Sequence, residues 1–268
     1  MLKDDGDRFA RWLAALEERH AGSLTFAELR RCVQSLSSIY VQRREGLARG
    51  APMDTAGRRA AFALYYGPLH FMLLEDILRE LEAGDPAPRE VLDLGCGTGV
   101  AGAAWSLAAG GRPVVTGIDR SPWAVSEARF TLRTLGLRGR VRQADLTRVH
   151  PRAGDIAVVA AFSVDELAAP QRAALLSRLA DACARGARLL VVEPISRRAS
   201  PWWSAWAAAL RAASPTEAAF REDEWSFPAA LPDLVARLDH AAGLDHSALR
   251  GRSLYVSGVR PGRRAPAT

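Results

Sequence analysis

The sequence predicts an α/β chain: a doubly wound, Rossmann-like sheet that ends in an antiparallel β-hairpin and is preceded by a helical N-terminal segment. Three observations carry this. After residue 88, short β-branched runs alternate with helical stretches, the sequence sign of parallel strands joined by crossover helices. A glycine-rich loop directly follows the first of those runs. Asp93, Asp119 and Asp145 are spaced 26 residues apart, one strand and one helix per interval.

At 268 residues the chain is long enough for one large core and a smaller appendage. The division falls at Gly84-Asp-Pro-Ala-Pro88, giving a helical segment over 1–85 and a main domain over 86–268. An apolar fraction of 49% and a charged fraction of 25% are those of a globular protein. No run approaches the roughly 18 uncharged apolar residues of a membrane span. The acidic opening Met1-Leu-Lys-Asp-Asp lacks the basic patch and apolar stretch of a secretory leader, so a cytoplasmic location is expected. Cys32, Cys96 and Cys183 stand far apart and outside any metal-ligand spacing, which predicts reduced thiols and no metal site. A net charge of +6 admits an anionic partner such as RNA. The competing explanation is compositional, because Lys3 is the only lysine and arginine supplies all other positive charge.

The helical segment is read from periodicity and caps. Phe9, Trp12, Leu13 and Leu16 form one apolar stripe. Thr25 and Glu28 have the spacing of a capping box, and Leu29, Val33, Leu36 and Tyr40 continue a helical face behind it. Asp54 or Thr55 caps a third helix that runs to Tyr66, and Gly67-Pro68 separates it from a fourth over residues 69–82.

In the main domain, strands are expected at 90–94, 114–118, 141–144, 155–161 and 188–193. Residues 244–249 and 253–259 flank Arg250-Gly-Arg252 and read as the closing hairpin, which brings the sheet to seven strands. Residues 196–232 fit neither scheme. They carry Trp202, Trp203, Trp206 and Trp225 with Arg197, Arg198, Arg211 and Arg221. An insertion after the fifth strand lies at the ligand edge of an open sheet, as a lid or substrate wall. The alternative is that the tryptophans pack a helix onto the sheet.

The chemistry-bearing residues gather at the strand ends. In Asp93-Leu-Gly95-Cys96-Gly97-Thr98-Gly99 a strand feeds a glycine loop that opens a helix. Glycines let the backbone turn sharply and approach a ligand, and the helix N-terminus offers N–H groups to a carboxylate. Asp93 is placed to hold an ammonium group. Asp119, ending the second strand, is placed to accept from both ribose hydroxyls, as a charged acceptor does most strongly. Asp145 and Leu146, after the third strand, suit an adenine amino group and ring, with Trp123 and Ala124 covering one face. Arg120 and Phe162 complete the candidate cofactor-binding set. Gly97-Thr-Gly-Val-Ala-Gly102 also matches the dinucleotide fingerprint, so a nucleotide-dependent oxidoreductase is the competing reading. Against it, Gly95 has already turned the chain, and no second domain offers a hydride-handling residue.

At these residues the chain resembles the class I S-adenosylmethionine (SAM) dependent methyltransferases, over about residues 88–260. More narrowly, Ala161-Phe-Ser-Val-Asp-Glu-Leu167, Leu190-Val-Val-Glu-Pro194 and Ala63-Leu-Tyr-Tyr-Gly-Pro68 resemble the methyltransferase-like proteins of the small ribosomal subunit of mitochondria, which have bacterial members. The cysteine cluster of that family's longer members is missing. The resemblance implies SAM as cofactor and methyl transfer as the activity, with rRNA or a ribosomal component as one acceptor class and a small molecule as another. In-line positioning is the main requirement of that chemistry. Neither the Pro-Pro-Tyr type of motif of amino-methylating enzymes nor a Pro-Cys nucleophile is present. Glu166, Glu193 and His70 are the catalytic candidates, the carboxylates to orient or deprotonate an acceptor. A SAM-binding assembly protein without turnover is the alternative function. The sequence gives no sign of oligomeric state.

Overall fold

The computed structural model describes residues 3–22, 24–44, 53–196 and 200–258. α1 (Lys3–Ala21) and α2 (Phe26–Arg44) lead in. The capping box forms as expected: Glu28 N–H donates to Thr25 Oγ1 at 3.3 Å, and Thr25 N–H donates to the Glu28 carboxylate at 2.8 Å. The apolar stripes are buried at Trp12, Leu16, Val33 and Leu36. Trp12 Nε1 donates to Thr131 Oγ1 at 3.2 Å, and Arg19 pairs with Glu127 at 2.9 Å. These long-range contacts fix α1 against the main domain.

Thr55 caps α3 (Ala56–Ala61), its hydroxyl accepting from Arg58 N–H. Here the structure departs from expectation. Gly67-Pro68 does not break the helix; Phe62–Tyr66 forms one π-helical turn that runs straight into α4 (Gly67–Glu80). Pro68 has no N–H, and its ring would clash with the Leu64 carbonyl in a tight α-helix. The widened turn, in which Gly67 N–H donates to Phe62 O five residues back, gives that ring room.

The main domain then alternates strand and helix: β1 (Glu90–Leu94), α5 (Val100–Ala108), β2 (Val114–Asp119), α6 (Pro122–Thr134), β3 (Gly139–Gln143), β4 (Ile156–Ala161), α7 (Ala169–Ala184) and β5 (Arg188–Glu193). It closes with α8 (Trp203–Ala213), β6 (Phe220–Pro228), α9 (Asp233–Ala241) and β7 (Ala248–Val256). The seven strands are ordered β3-β2-β1-β4-β5-β7-β6. The first five are parallel, and β7 runs antiparallel to both β5 and β6.

Period-two alternation sends residues to opposite faces. Val91, Val115, Val141, Val159 and Val192 face a core shared with α4, α5, α6 and the N-terminal helices. Leu92, Leu94, Ile118, Val158 and Val191 face a second core under α7 and α8. One hydrophobic cluster therefore joins the N-terminal helices to the sheet.

The expected closing hairpin needs correction. Arg250-Gly-Arg252 lies inside one continuous strand, β7, whose antiparallel partner β6 comes from the 196–232 segment. Val259 lies outside the described residues. Gly251 had read as a turn, but its smallness serves packing: a Cβ there would come within 3.1 Å of Leu73 Cδ2. The same segment supplies α8, whose Trp203 and Trp206 are buried in the second core. The indole N–H of Trp203 donates to Glu222, and that of Trp225 to Ser253. The tryptophans from Trp203 onward thus pack this segment onto the sheet. Arg197 and Arg198 lie outside the described residues. Among the described residues, no helix is long and apolar enough to cross a membrane, and no group of His, Cys, Asp and Glu is set to hold a metal.

Candidate functional site

The glycine loop after β1 is shaped by what surrounds it. Gly95 has φ +69°, and a Cβ there would stand 2.6 Å from Ser163 Cβ, so the loop after β4 presses directly on it. Gly99 has φ +80° and opens α5; a Cβ would meet Ala128 of α6 at 2.9 Å. Left-handed backbone costs an ordinary residue about 1–2 kcal/mol, and here close approach forbids the side chain as well. Gly102 lets α5 settle on the sheet, a Cβ there coming within 2.7 Å of Val115 and 3.0 Å of Asp93. That packing accounts for the dinucleotide-like spacing.

Gly97 differs from its neighbours. At φ +51° it would place a Cβ in open space, with no heavy atom beyond its own chain neighbours within 4 Å. Beside it, Thr98 Oγ1 is buried and has no hydrogen-bond partner in the protein. Open space against loop backbone, edged by an unused hydroxyl, makes a bay that suits a polar group such as the amino-acid end of SAM. Asp119 closes the bay. Its Oδ2 accepts from Gly97 N–H at 2.9 Å and its Oδ1 from Ser121 N–H at 2.8 Å. A carboxylate accepts about four hydrogen bonds, so each oxygen retains capacity for a ribose hydroxyl.

The other expected cofactor residues divide. Asp93 is buried and accepts from Gly102 N–H at 2.8 Å, and burial pushes its carboxyl up to about 7. Cys96 is buried behind the loop, its thiol pushed up by desolvation and by Asp93 and Asp119. Leu146 reaches the loop, its Cδ2 lying 3.2 Å from a Gly95 Cβ. Asp145 is exposed and accepts from Thr147 N–H and Oγ1, bonds that lower its carboxyl. Arg120 is exposed and lies 3.8 Å from Glu166 at the rim.

Of the catalytic candidates, Glu193 is enclosed. Its Oε1 accepts from the N–H groups of Val164 and Asp165, at 3.0 and 3.3 Å. Desolvation, reinforced by Asp165, pushes its carboxyl well above the usual range. Glu166 is exposed beside Arg120. His70 stacks on Phe162 with ring centroids 4.1 Å apart, and burial lowers its imidazole to about 4, so it is neutral at pH 7. Asp165 accepts from Ser200 Oγ and Trp202 Nε1, tying the β4–α7 loop to the chain after β5.

Two site residues escaped the sequence. Ser163 donates from Oγ to Leu94 O at 2.9 Å, locking the β4 loop over the end of β1. Phe62 stacks on Tyr66 and meets Trp123 of α6 edge-on at 6.2 Å. Its signal was legible as aromatic rings at 62, 66 and 70, four residues apart. The histidines without sequence partners also find them: His20 lies 3.3 Å from Glu127, His240 2.9 Å from Asp245 and His246 2.5 Å from Asp239. His150 Nδ1 lies 3.1 Å from Arg148 O.

Comparison with known proteins follows the same line. Residues 91–186 match the family model of a methyltransferase domain. No curated protein matches the chain. A solved structure from Listeria monocytogenes, described as a class I SAM-dependent methyltransferase, aligns with a TM-score of 0.51 at 9% identity, over 98% of this chain and 91% of that one. Two looser alignments are to magnesium protoporphyrin IX methyltransferase of Synechocystis with bound SAM (TM-score 0.46, 16% identity, 87% and 97% coverage) and to the plantazolicin methyltransferase BpumL with SAH (0.48, 13%, 90% and 99%). Residues 91–186, carried on this sheet and this glycine loop, thus form a segment similar to methyltransferase domains.

Proposed function

We propose that the chain transfers the methyl group of SAM to a small-molecule acceptor at the C-terminal edge of the parallel strands. The observation that carries this is the open bay at Gly97, edged by the unpartnered Thr98 hydroxyl and closed by Asp119. When bound, SAM supplies an electrophilic methyl on a sulfonium. Thr98 and the loop backbone bind its amino-acid end, Asp119 orients the ribose, and Leu146 covers the space beside Gly95. The rate then rests on holding donor and acceptor in line, which asks little acid or base help from the protein.

The charge at this edge favours a small acceptor over a polyanion. Asp119, Asp145, Asp165 and Glu166 all fall at or just beyond the ends of their strands, where carboxylates repel phosphate. The ribosomal branch of the sequence resemblance draws no support from the family match. Two observations favour the scaffold reading: the carboxyl of Glu193 is committed to backbone N–H groups, and Glu166 lies beside Arg120.

Calorimetry with SAM and with S-adenosylhomocysteine tests the donor site, with Asp119→Ala as the weakened control. Radiolabelled methyl transfer in extract fractionated into RNA, protein and small molecules tests the acceptor class. Label in the small-molecule fraction supports the proposal. Label confined to RNA or protein overturns it, and binding without any transfer moves the chain to the scaffold class.

A further inference from the structure

We infer that the methyl acceptor is a planar, uncharged aromatic ring, held against a wall formed by Phe62, Tyr66, His70, Phe162 and Trp123. The inference rests on the donor reading above and specifies the substrate of that same site. The wall runs without a gap from the start of α6 to the end of β4. Trp123 meets Phe62 at 6.2 Å, Phe62 meets Tyr66 and His70 at 5.9 Å each, and His70 meets Phe162 at 4.1 Å. It adjoins the donor bay at two points. A Cβ on Gly67 would lie 3.5 Å from Thr98 Oγ1, and Ser163, next to Phe162, presses on Gly95.

Exposure separates these rings from the aromatic residues that only fill the core. Trp12, Tyr65, Phe71 and Trp105 are fully or almost fully buried, whereas all five wall residues keep partly exposed surface. Trp12 and Trp105 spend their indole N–H groups on fixed partners, Thr131 Oγ1 and Ala83 O. Rings left partly open at the ligand edge of a sheet are placed to stack on another ring.

The backbone is distorted at both ends of the wall. Phe162 has φ +56°, a conformation costly for a bulky residue. It is held there by three anchors: its N–H donates to Val192 O at 2.8 Å, Ser163 Oγ to Leu94 O, and the next two N–H groups to Glu193. Glu193 is therefore a positioning residue for Phe162. At the other end, Phe62 and Tyr66 sit on the π-helical turn, a form that recurs at functional sites. Both distortions set where a ring stands.

Chemistry narrows the ligand further. The ring face contributed by His70 carries no charge at neutral pH, and Phe62, Phe162 and Trp123 have none. Two pairs lie close to parallel, Phe62 with Tyr66 at 26° and His70 with Phe162 at 22°, the arrangement of rings that stack on flat partners.

The test compares 2-naphthol with decahydro-2-naphthol, its saturated, non-planar analogue, titrated into the full chain loaded with S-adenosylhomocysteine. Saturation-transfer NMR and calorimetry read the binding. Expected is at least tenfold tighter binding of 2-naphthol. The Phe62→Leu and His70→Leu variants, which keep apolar volume and lose the flat face, are expected to reduce that preference to threefold or less. Their affinity for S-adenosylhomocysteine, staying within threefold of the parent, shows that the donor site is intact. Equal binding of the two alcohols overturns the inference, as does binding of neither by a chain that still holds S-adenosylhomocysteine. Displacement of 2-naphthol by tetramethylammonium overturns it in favour of a cation cage. Failure of the unmodified chain to bind S-adenosylhomocysteine, read in the separate titration, overturns the donor reading instead.

Discussion

The donor bay and the aromatic wall meet at Gly95 and Thr98, yet they are built in opposite ways. The bay is made of backbone. Its shape comes from glycines within one short stretch, 95–102, and from one carboxylate at the end of the neighbouring strand. The wall is made of side chains from the π-helical turn, α4, α6 and the β4 loop, segments far apart in sequence. Recognition of the donor is thus local and intolerant of added atoms. Recognition of the acceptor is distributed and can be altered one ring at a time.

Adding atoms to the bay is the most severe way to break this contrast. Gly95→Val forces a side chain into Ser163 at a left-handed position, combining about 1–2 kcal/mol of backbone strain with about 1–3 kcal/mol of overpacking. Denaturant unfolding is expected to show that combined loss, and calorimetry no measurable SAM binding. Asp119→Ala comes next. Removing charged hydrogen bonds of about 1.5–3 kcal/mol is expected to weaken SAM binding by about ten- to a hundredfold, while leaving the wall's preference for flat rings in place.

A third test reaches the wall through its anchor. The carboxyl of Glu193 is pushed up by burial, so the folded protein holds a proton that the unfolded chain releases near the ordinary carboxylate value of 4.5. Stability tied to Glu193 is fully present below pH 4.5 and is lost as pH rises above it. Glu193→Gln keeps an acceptor for Val164 and Asp165 and cannot ionise. Urea unfolding from pH 4 to 8 is expected to show a shallower decline for this variant than for the parent. A parallel or steeper decline would remove Glu193 from the account. The smallest effect belongs to β3, away from both regions. Arg140→Ala breaks an exposed pair with Glu90 at 3.4 Å and is expected to change stability by no more than about 1 kcal/mol, with SAM binding unaltered.

The same contrast explains what could be read in advance. β1 and β5 fall where apolar runs placed them, because a strand buried on both faces is apolar over most of its length. The glycine loop and Asp119 were legible because a close backbone approach leaves glycine as its mark. β6 was hidden: its alternation Phe220, Glu222, Glu224 and Ser226 is that of an edge strand with little buried surface, and tryptophans drew attention to a lid instead. Gly251 reads as a turn because a glycine spared for packing carries the same letter as one spared for turning. Glu193 looked available because its position at a strand end was legible, whereas the two N–H groups that occupy it come from a loop 28 and 29 residues earlier. Phe62 lacked any local signal beyond its spacing, since its contact with Trp123 depends on how α6 is set against the N-terminal helices.

The π-helical turn also makes the site sensitive to register. The widened turn holds one residue more than an α-helical turn, so deleting one residue between Phe62 and Tyr66 would return it to α geometry and drive the proline ring against the carbonyl four residues back. The kink that relieves this clash would displace Phe62 relative to Trp123 while α4 stays seated on the sheet. A deletion so small would leave composition and hydrophobic pattern almost unchanged, yet it would redraw the surface offered to the acceptor. Between related chains, the count of residues from Thr55 to Pro68 would then be as informative about acceptor choice as the identity of any ring.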